Sequence, residues 1–371
     1  MNPRNNLYRS ALDFAESQCR NLVARHPGYA PMYTVGGHWG REGELWTHWC
    51  EGFYPGIFWL LHRHTDRREW RDLAEQYSRA LEPRRFDKTV HDLGFLFFST
   101  YLRWYHLTGE ERLRDVLIDA GRTLALRRQK GGYLASFVGP QSLFIDIMMN
   151  VGIILWAANA TGDRALREVA LEHCRTTQKY LVRPDGGTAH EGIFDVDTGE
   201  FIREATHQGW RADSTWTRGL AWAIYGFTAV HRLLASGGCE PPGEFLDTAR
   251  RCADCYLRRA PKGLVPPWDF DVPPDGPQLW DSSAGAITAS GLLDLSEQVG
   301  DAADAERYRS AALTLLDTLC SDEFLARSRP GWEGILLHGV YHYHKGLGVD
   351  ESVAWGDHFF VEALVKALAG R

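Results

Sequence analysis

Six times along this chain, a short polar or tryptophan-bearing cluster opens onto an apolar run at helical spacing. Trp46-Thr-His-Trp49 leads into Phe53 to His62, and His91-Asp92 into Leu93 to Tyr105. Asp146 leads into Ile147 to Ala157, and Asp213-Ser-Thr-Trp216 into Gly219 to Leu234. Asp281-Ser-Ser283 and Trp355-Gly-Asp357 open the last two runs, Ala284 to Glu297 and His358 to Leu368. Several runs end in similar turns: Thr65–Asp66, Thr108–Gly109–Glu110, Thr161–Gly162–Asp163 and Val299–Gly300–Asp301. Glycine there suits a helix C-terminus, and the acid suits the start of the next helix. In most cases an amphipathic helix follows, such as Arg112 to Leu126 or Ala303 to Leu319. A helix apolar all round has to be buried, whereas one with a polar face can meet water. Six such hairpins predict an all-α fold, an (α/α)6 barrel built as a double ring, with the polar openings gathered at one end. Residues 1–371 are expected to form one domain. The competing architecture is an irregular helical bundle. Strands are expected to be few, with a short hairpin over Thr188 to Phe194 before Asp197-Thr-Gly199.

Composition narrows the function. Lys plus Arg number 41 against 48 Asp plus Glu, for a net charge of −7. No basic block is present, so a nucleic-acid partner is not expected. No apolar stretch is long enough for a membrane span. Met1 to Ser10 is polar, with no apolar signal core, which leads to the expectation of a cytoplasmic protein. The seven cysteines are odd in number and scattered, against a disulfide framework. Cys252 and Cys255 form a C-x-x-C, but no second ligand pair follows. Glu42, Glu44, His48 and Glu51 fall into no ligand spacing, so neither a metal nor a cofactor is expected. With 14 Trp, 14 Tyr and 17 Phe, the chain suits either a large helical core or a cleft that stacks on sugar faces.

Two acids stand apart from helix-capping aspartates such as Asp213 and Asp281. Asp92 and Asp146 each lie alone in an apolar run. Burial raises the pKa of an isolated carboxyl, and a carboxyl kept protonated can act as a general acid. Facing one funnel, the two make a paired-carboxylate site; otherwise they are satisfied core aspartates. Arg218 and Trp222, four apart, share a helix face. An Arg beside a Trp suits a carboxylate on a flat ring, such as a uronic sugar, or is simply core packing.

The ordered set Trp49-Cys-Glu-Gly-Phe-Tyr-Pro-Gly56, His91-Asp-Leu-Gly-Phe95, Ile145-Asp146, Thr206-His-Gln-Gly209, Asp213 to Gly226, Pro267-Trp-Asp-Phe270, Asp281-Ser-Ser-Ala284 and Trp355-Gly-Asp357 resembles the unsaturated glucuronyl hydrolases, glycoside hydrolase family 88. The related unsaturated rhamnogalacturonyl hydrolases share the two-aspartate logic. The resemblance implies an (α/α)6 barrel that removes the 4,5-unsaturated uronic acid left by polysaccharide lyases at a non-reducing end. Members hydrate the C4=C5 enol ether; the resulting hemiketal opens and expels the sugar it carried. The resemblance implies that Asp146 is the general acid/base and Asp92 the second essential acid. It implies that Trp49, His91, His190, Gln208, Arg218 and Trp222 line the site. Phe137 falls where relatives often place a Trp that packs on the next sugar, and Cys50 where Thr is usual. Tyr341 and Lys345 lie in Tyr341 to Gly348, the most idiosyncratic match. Members preferring sulfated sugars carry Ser and Lys there; this chain has Lys345, but Val340 and Tyr343 in the serine places. The expected partner is therefore an unsaturated uronyl oligosaccharide, with no cofactor. A sugar epimerase or a non-catalytic carbohydrate-binding toroid would use the same ring without the acid pair.

Overall fold

The computed structural model describes residues 3–40, 48–238 and 241–370. The first opening cluster is thereby split: Trp46 and Thr47, like Glu42 and Glu44, lie outside the described residues. Helix α1 (Pro3–Arg25) precedes a small hairpin, β1 (Thr34–Val35) and β2 (His38–Trp39). The first helical hairpin is α2 (Phe53–Thr65) with α3 (Arg68–Ala80). The second is α4 (Leu93–Ser99) and α5 (Tyr101–Thr108) with α6 (Glu111–Ala125). Strand β3 (Ser142–Phe144) enters a 3-10 turn, Ile145–Met149, ahead of α7 (Gly152–Thr161) and α8 (Arg164–Leu181). Strands β4 (Glu191–Phe194) and β5 (Phe201–Ala205) precede α9 (Thr217–Ser236) and α10 (Gly243–Arg259). Then come α11 (Ser282–Ser296) with α12 (Ala302–Leu319), β6 (Gly339–His342), β7 (Leu347–Glu351) and α13 (Ala354–Leu368).

Packing closes a ring. Helix α2 meets α4, α4 meets α7, α7 meets α9, α9 meets α11, α11 meets α13, and α13 returns to α2. Outside them, α3, α6, α8, α10 and α12 each pack on their hairpin partner. This is the (α/α)6 barrel. The sixth outer helix is α1, which packs against α13 and α12, so the two ends of the chain complete one unit. Arg4 pairs with Asp317 at 2.7 Å, and the Tyr8 hydroxyl donates to Leu313 O at 3.1 Å.

Sequence accounts for the layering. Helix α11 is buried from Ser282 through Asp294, and its run of Ser, Ala and Gly lets neighbours approach. Outer helix α3 buries only Trp70, Ala74 and Ser78, at four-residue spacing. Gly109 and Gly162 end α5 and α7 in the left-handed region, and Asp163 and Asp301 cap α8 and α12. The structure departs from expectation in three places. Leu93 to Tyr105 is broken at Thr100 (φ −117°, ψ −82°). Its hydroxyl bonds back to Leu96 O at 2.5 Å, a contact that bends helices. Asp213 caps nothing; it is exposed and paired with Arg211, and Trp216 takes the N-cap position of α9. Asp146 lies in the 3-10 turn rather than at a helix start.

The expected hairpin exists as β4–β5, with β3 added antiparallel to β4, Phe144 opposite Glu191. Antiparallel β6–β7 forms a second wall. These strands sit in the segments entering the inner helices, so they crowd the N-terminal end of the inner ring. The other end is filled by charge: Glu362 meets Arg103 and Ser290 Oγ, both at 2.5 Å, and Lys366 meets Asp294 at 2.9 Å.

Gly226 on α9 packs directly behind the Asp146 turn. A Cβ there would stand 2.6 Å from Met148 O. Gly226→Ala is expected to cost about 1–3 kcal/mol in a urea titration and to lower turnover by displacing Asp146. Unchanged stability and turnover would rule out a close-packed turn.

Candidate active site

At the strand-lined end, a cavity of ≈ 230 Å³ opens among the inner-helix starts. Asp92 and Asp146 both line it, 4% and 9% exposed. Of the two sequence alternatives, the facing pair therefore holds. Trp49, His91, Phe137, Gln208, Arg218, Tyr341 and Lys345 also line the cavity.

Each carboxyl has a histidine beside it. His91 Nδ1 accepts the Phe137 N–H at 3.0 Å, which leaves the ring proton on Nε2, 3.4 Å from Asp92 Oδ1. His190 Nδ1 accepts the His207 N–H at 3.1 Å, which turns its Nε2 toward Asp146 Oδ2 at 3.5 Å. At that length neither Asp146 Oδ2 nor His190 Nε2 makes a hydrogen bond, though both are buried. Burial holds His91 neutral, its pKa lowered to about 3.

The two acids differ. Burial, then the charge of Asp146, pushes Asp92 up to about 8. Burial also raises Asp146, but the facing His190 and the Arg218 guanidinium outweigh it, and its pKa ends below the usual value. The pair thus carries one proton near neutrality, held on Asp92. This reverses the expectation that apolar neighbours raise Asp146. Phe144, Ile145, Ile147 and Met148 do bury it, but the nearest polar groups stabilise its charge.

Arg218 lines the cavity and is also packed on tryptophan. It is 1% exposed and lies over Trp216 (4.4 Å) and Trp355 (5.1 Å). Its Nη1 meets Asp281 Oδ2 at 3.2 Å and Val340 O; its Nη2 meets Tyr341 O at 2.9 Å and Gln208 Oε1. Most of its donors are spent on protein. With Oε1 engaged, Gln208 turns its amide N–H donors away from Arg218.

Two predicted residues do not line the cavity. Trp222 is buried, packing on Phe95 (5.0 Å) and Phe359 (5.5 Å) rather than pairing with Arg218. His190 stands behind Asp146. Five lining residues were missed: Phe95, Val138, Phe144, His207 and His342. Phe144 had a signal, two residues before Asp146, where a strand feeds the acid into the site. His207, 3.2 Å from Glu191, had its neighbour Gln208 as a signal. Val138 and His342 likewise follow the expected residues Phe137 and Tyr341.

Among the described residues, no group of three or more His, Cys, Asp or Glu side chains could hold a metal ion. The six described cysteines are free and buried, Cys252 and Cys255 on α10 among them. No described helix is long and apolar enough to cross a membrane.

A helical double ring whose inner-helix starts surround two coupled carboxyl groups is the build of a glycoside hydrolase. The profile of Glycosyl Hydrolase Family 88 matches residues 32–240. The chain is 35% identical over 336 residues to the unsaturated glucuronyl hydrolase of Bacillus sp. (strain GL1), covering 87% of each. It is 30% identical over 330 residues to the unsaturated chondroitin disaccharide hydrolase of Streptococcus pneumoniae (strain ATCC BAA-255 / R6), covering 86% of this chain and 82% of the other. The crystal structure of the Bacillus sp. GL1 enzyme, described as responsible for glycosaminoglycan degradation, superposes with a TM-score of 0.89 over 98% of this chain and 97% of that one, at 31% identity. The chain belongs to glycoside hydrolase family 88.

Proposed function

We propose that this chain is a single-domain, cytoplasmic hydrolase that removes 4,5-unsaturated glucuronic acid from lyase-made oligosaccharides, with Asp146 as general acid/base. The observation that carries the reading is that Asp92 and Asp146 open on one cavity, with their proton affinities pushed in opposite directions. Free buried cysteines suit a reducing compartment.

The chemistry needs a proton at C4 and a water oxygen at C5. The substrate carboxylate brings negative charge beside Asp146, which raises its proton affinity. Protonated, Asp146 delivers its proton to C4, and positive charge develops at C5 and the ring oxygen. As a carboxylate it then takes a proton from the water that attacks C5, so its proton is restored. The hemiketal opens to a 5-keto acid, and the leaving sugar departs from C1. Asp92, neutral, donates a hydrogen bond without adding a second charge beside the uronate. The N-terminal end of α9, which brings Arg218 to the cavity, favours an anionic ring. The aromatic side chains of Trp49, Phe137 and Tyr341 supply stacking surface.

The test follows loss of ultraviolet absorbance from the conjugated uronate across chondroitin, hyaluronan, heparin, ulvan and rhamnogalacturonan disaccharides made by lyases. Loss on a glucuronyl member supports the reading. Loss on rhamnogalacturonan alone, or on none, sinks it. The pH profile adds a second check. Asp92 is neutral below its pKa and ionised above it, so kcat/KM is expected to fall above about pH 8. A profile flat through that region would remove the neutral Asp92.

A further inference from the structure

The start of α4 sets two demands on one carboxyl. Asp92 is the N-cap residue, and its carbonyl accepts the Leu96 N–H at 3.2 Å. Aspartate at this position ordinarily turns its carboxylate onto the N–H of the second or third helical residue. That bond, with the helix dipole, favours the ionised form. Asp92 makes no such bond. The third helical residue is Phe95, and its N–H donates instead to Asn150 Oδ1 at 2.8 Å. Asn150 follows the turn that carries Asp146, and its Nδ2 donates to the Asp146 carbonyl at 3.2 Å. Its side chain is wholly buried. Gly94 lets the segments meet, since a Cβ there would stand 2.5 Å from Asn150 Cα.

We propose that Asn150 is a positioning residue that caps α4 in place of Asp92, so that the Asp92 carboxyl is free for the cavity and tied through one side chain to the turn bearing Asp146. The proposal rests on the reading of these two carboxyl groups as the reacting pair. A fold without this surrogate cap would leave the Phe95 N–H to Asp92 itself. The groups facing Asp92 are known. Asp146 and Asp87 raise its proton affinity, while Arg127 and Arg84 lower it. His91, Cys50 and Tyr341 beside it stay uncharged at neutral pH.

The experiment is the pH profile of kcat/KM for wild type, Asn150→Ala and Asn150→Asp, with folding checked by circular dichroism. In Asn150→Ala the Asp92 carboxylate gains a backbone donor, so the alkaline limb is expected to move down by about one pH unit or more. Asn150→Asp keeps the acceptor and adds negative charge, so its limb moves up. A purely structural role would lower stability and kcat while leaving both limbs in place, and that result overturns the proposal. So does a downward shift in both variants. If Asn150→Ala does not fold, Asn150→Asp still decides: a limb above wild type supports the proposal, and one at or below it overturns it. A wild type without an alkaline limb would be a failure of the acid–base reading. In that case the crystal structure of Asn150→Ala is the judge. Asp92 turned onto the Phe95 N–H supports the surrogate cap, and Asp92 still in the cavity refutes it.

Discussion

Asp146→Asn is expected to lower kcat by about 10³-fold while leaving substrate affinity within a few-fold. Asparagine matches aspartate in size, so Phe144, Ile145, Ile147 and Met148 keep their packing. The His190 Nε2–H still faces an oxygen. What the amide lacks is a proton it can give and take back. Catalysis by a single group that serves as acid and then as base loses both steps at once. The measurement pairs absorbance turnover with calorimetric titration of an unsaturated disaccharide. Turnover within tenfold of wild type would move the proton transfer to Asp92. Loss of binding along with turnover would mean that the carboxylate holds substrate rather than reacting with it.

Arg218→Met is expected to cost about 3–5 kcal/mol of stability in a denaturant titration. Its partner Asp281 is fully buried, with Oδ1 already accepting from Ser283 N–H at 3.0 Å as the cap of α11. Without the guanidinium, Oδ2 becomes an uncompensated buried charge. The carbonyls of Val340 and Tyr341 lose their donors too, so β6 loosens at the cavity wall. The double variant Arg218→Met with Asp281→Asn is expected to recover much of the loss, because the stranded charge is gone. If the double variant is no more stable than the single, the damage lies in the strand contacts and not in the ion pair. KM is expected to rise in both, since Gln208 loses the partner that fixes its amide.

The ring was legible because burial all round and burial on one face leave different periodicities, and each inner run was long enough to carry its own. The Thr100 break was not, since a helix-compatible sequence bends there through a hydroxyl contact. Strands of two to five residues are too short for an alternating pattern, and they form only because the loops are pressed together at one end. In the site, Asp92 and Asp146 stood out as charges in apolar surroundings. Which of them holds the proton depends on His190 and Arg218, 44 and 72 residues downstream of Asp146. Spacing carries no such information. Arg218 was noticed, but its partners Val340 and Tyr341 are backbone carbonyls more than a hundred residues away, and a carbonyl has no sequence signature. Trp222 shares a helix with Arg218 but packs on Phe95 and Phe359, while Trp216 and Trp355 lie against the guanidinium, a pairing that four-residue spacing does not carry.

The union of α1 with α13 has a temporal meaning. A ribosome delivers α1 long before α13, and Thr34 bonds to Ser352 across 318 residues of chain. Trp49 packs on Trp355, ring centroids 4.7 Å apart, across the same seam, so one wall of the cavity has no backing until synthesis reaches α13. Contacts this distant in sequence form late. Nascent and prematurely ended chains would therefore hold both aspartates yet lack a finished pocket, and the onset of activity would mark the moment the ring locks shut.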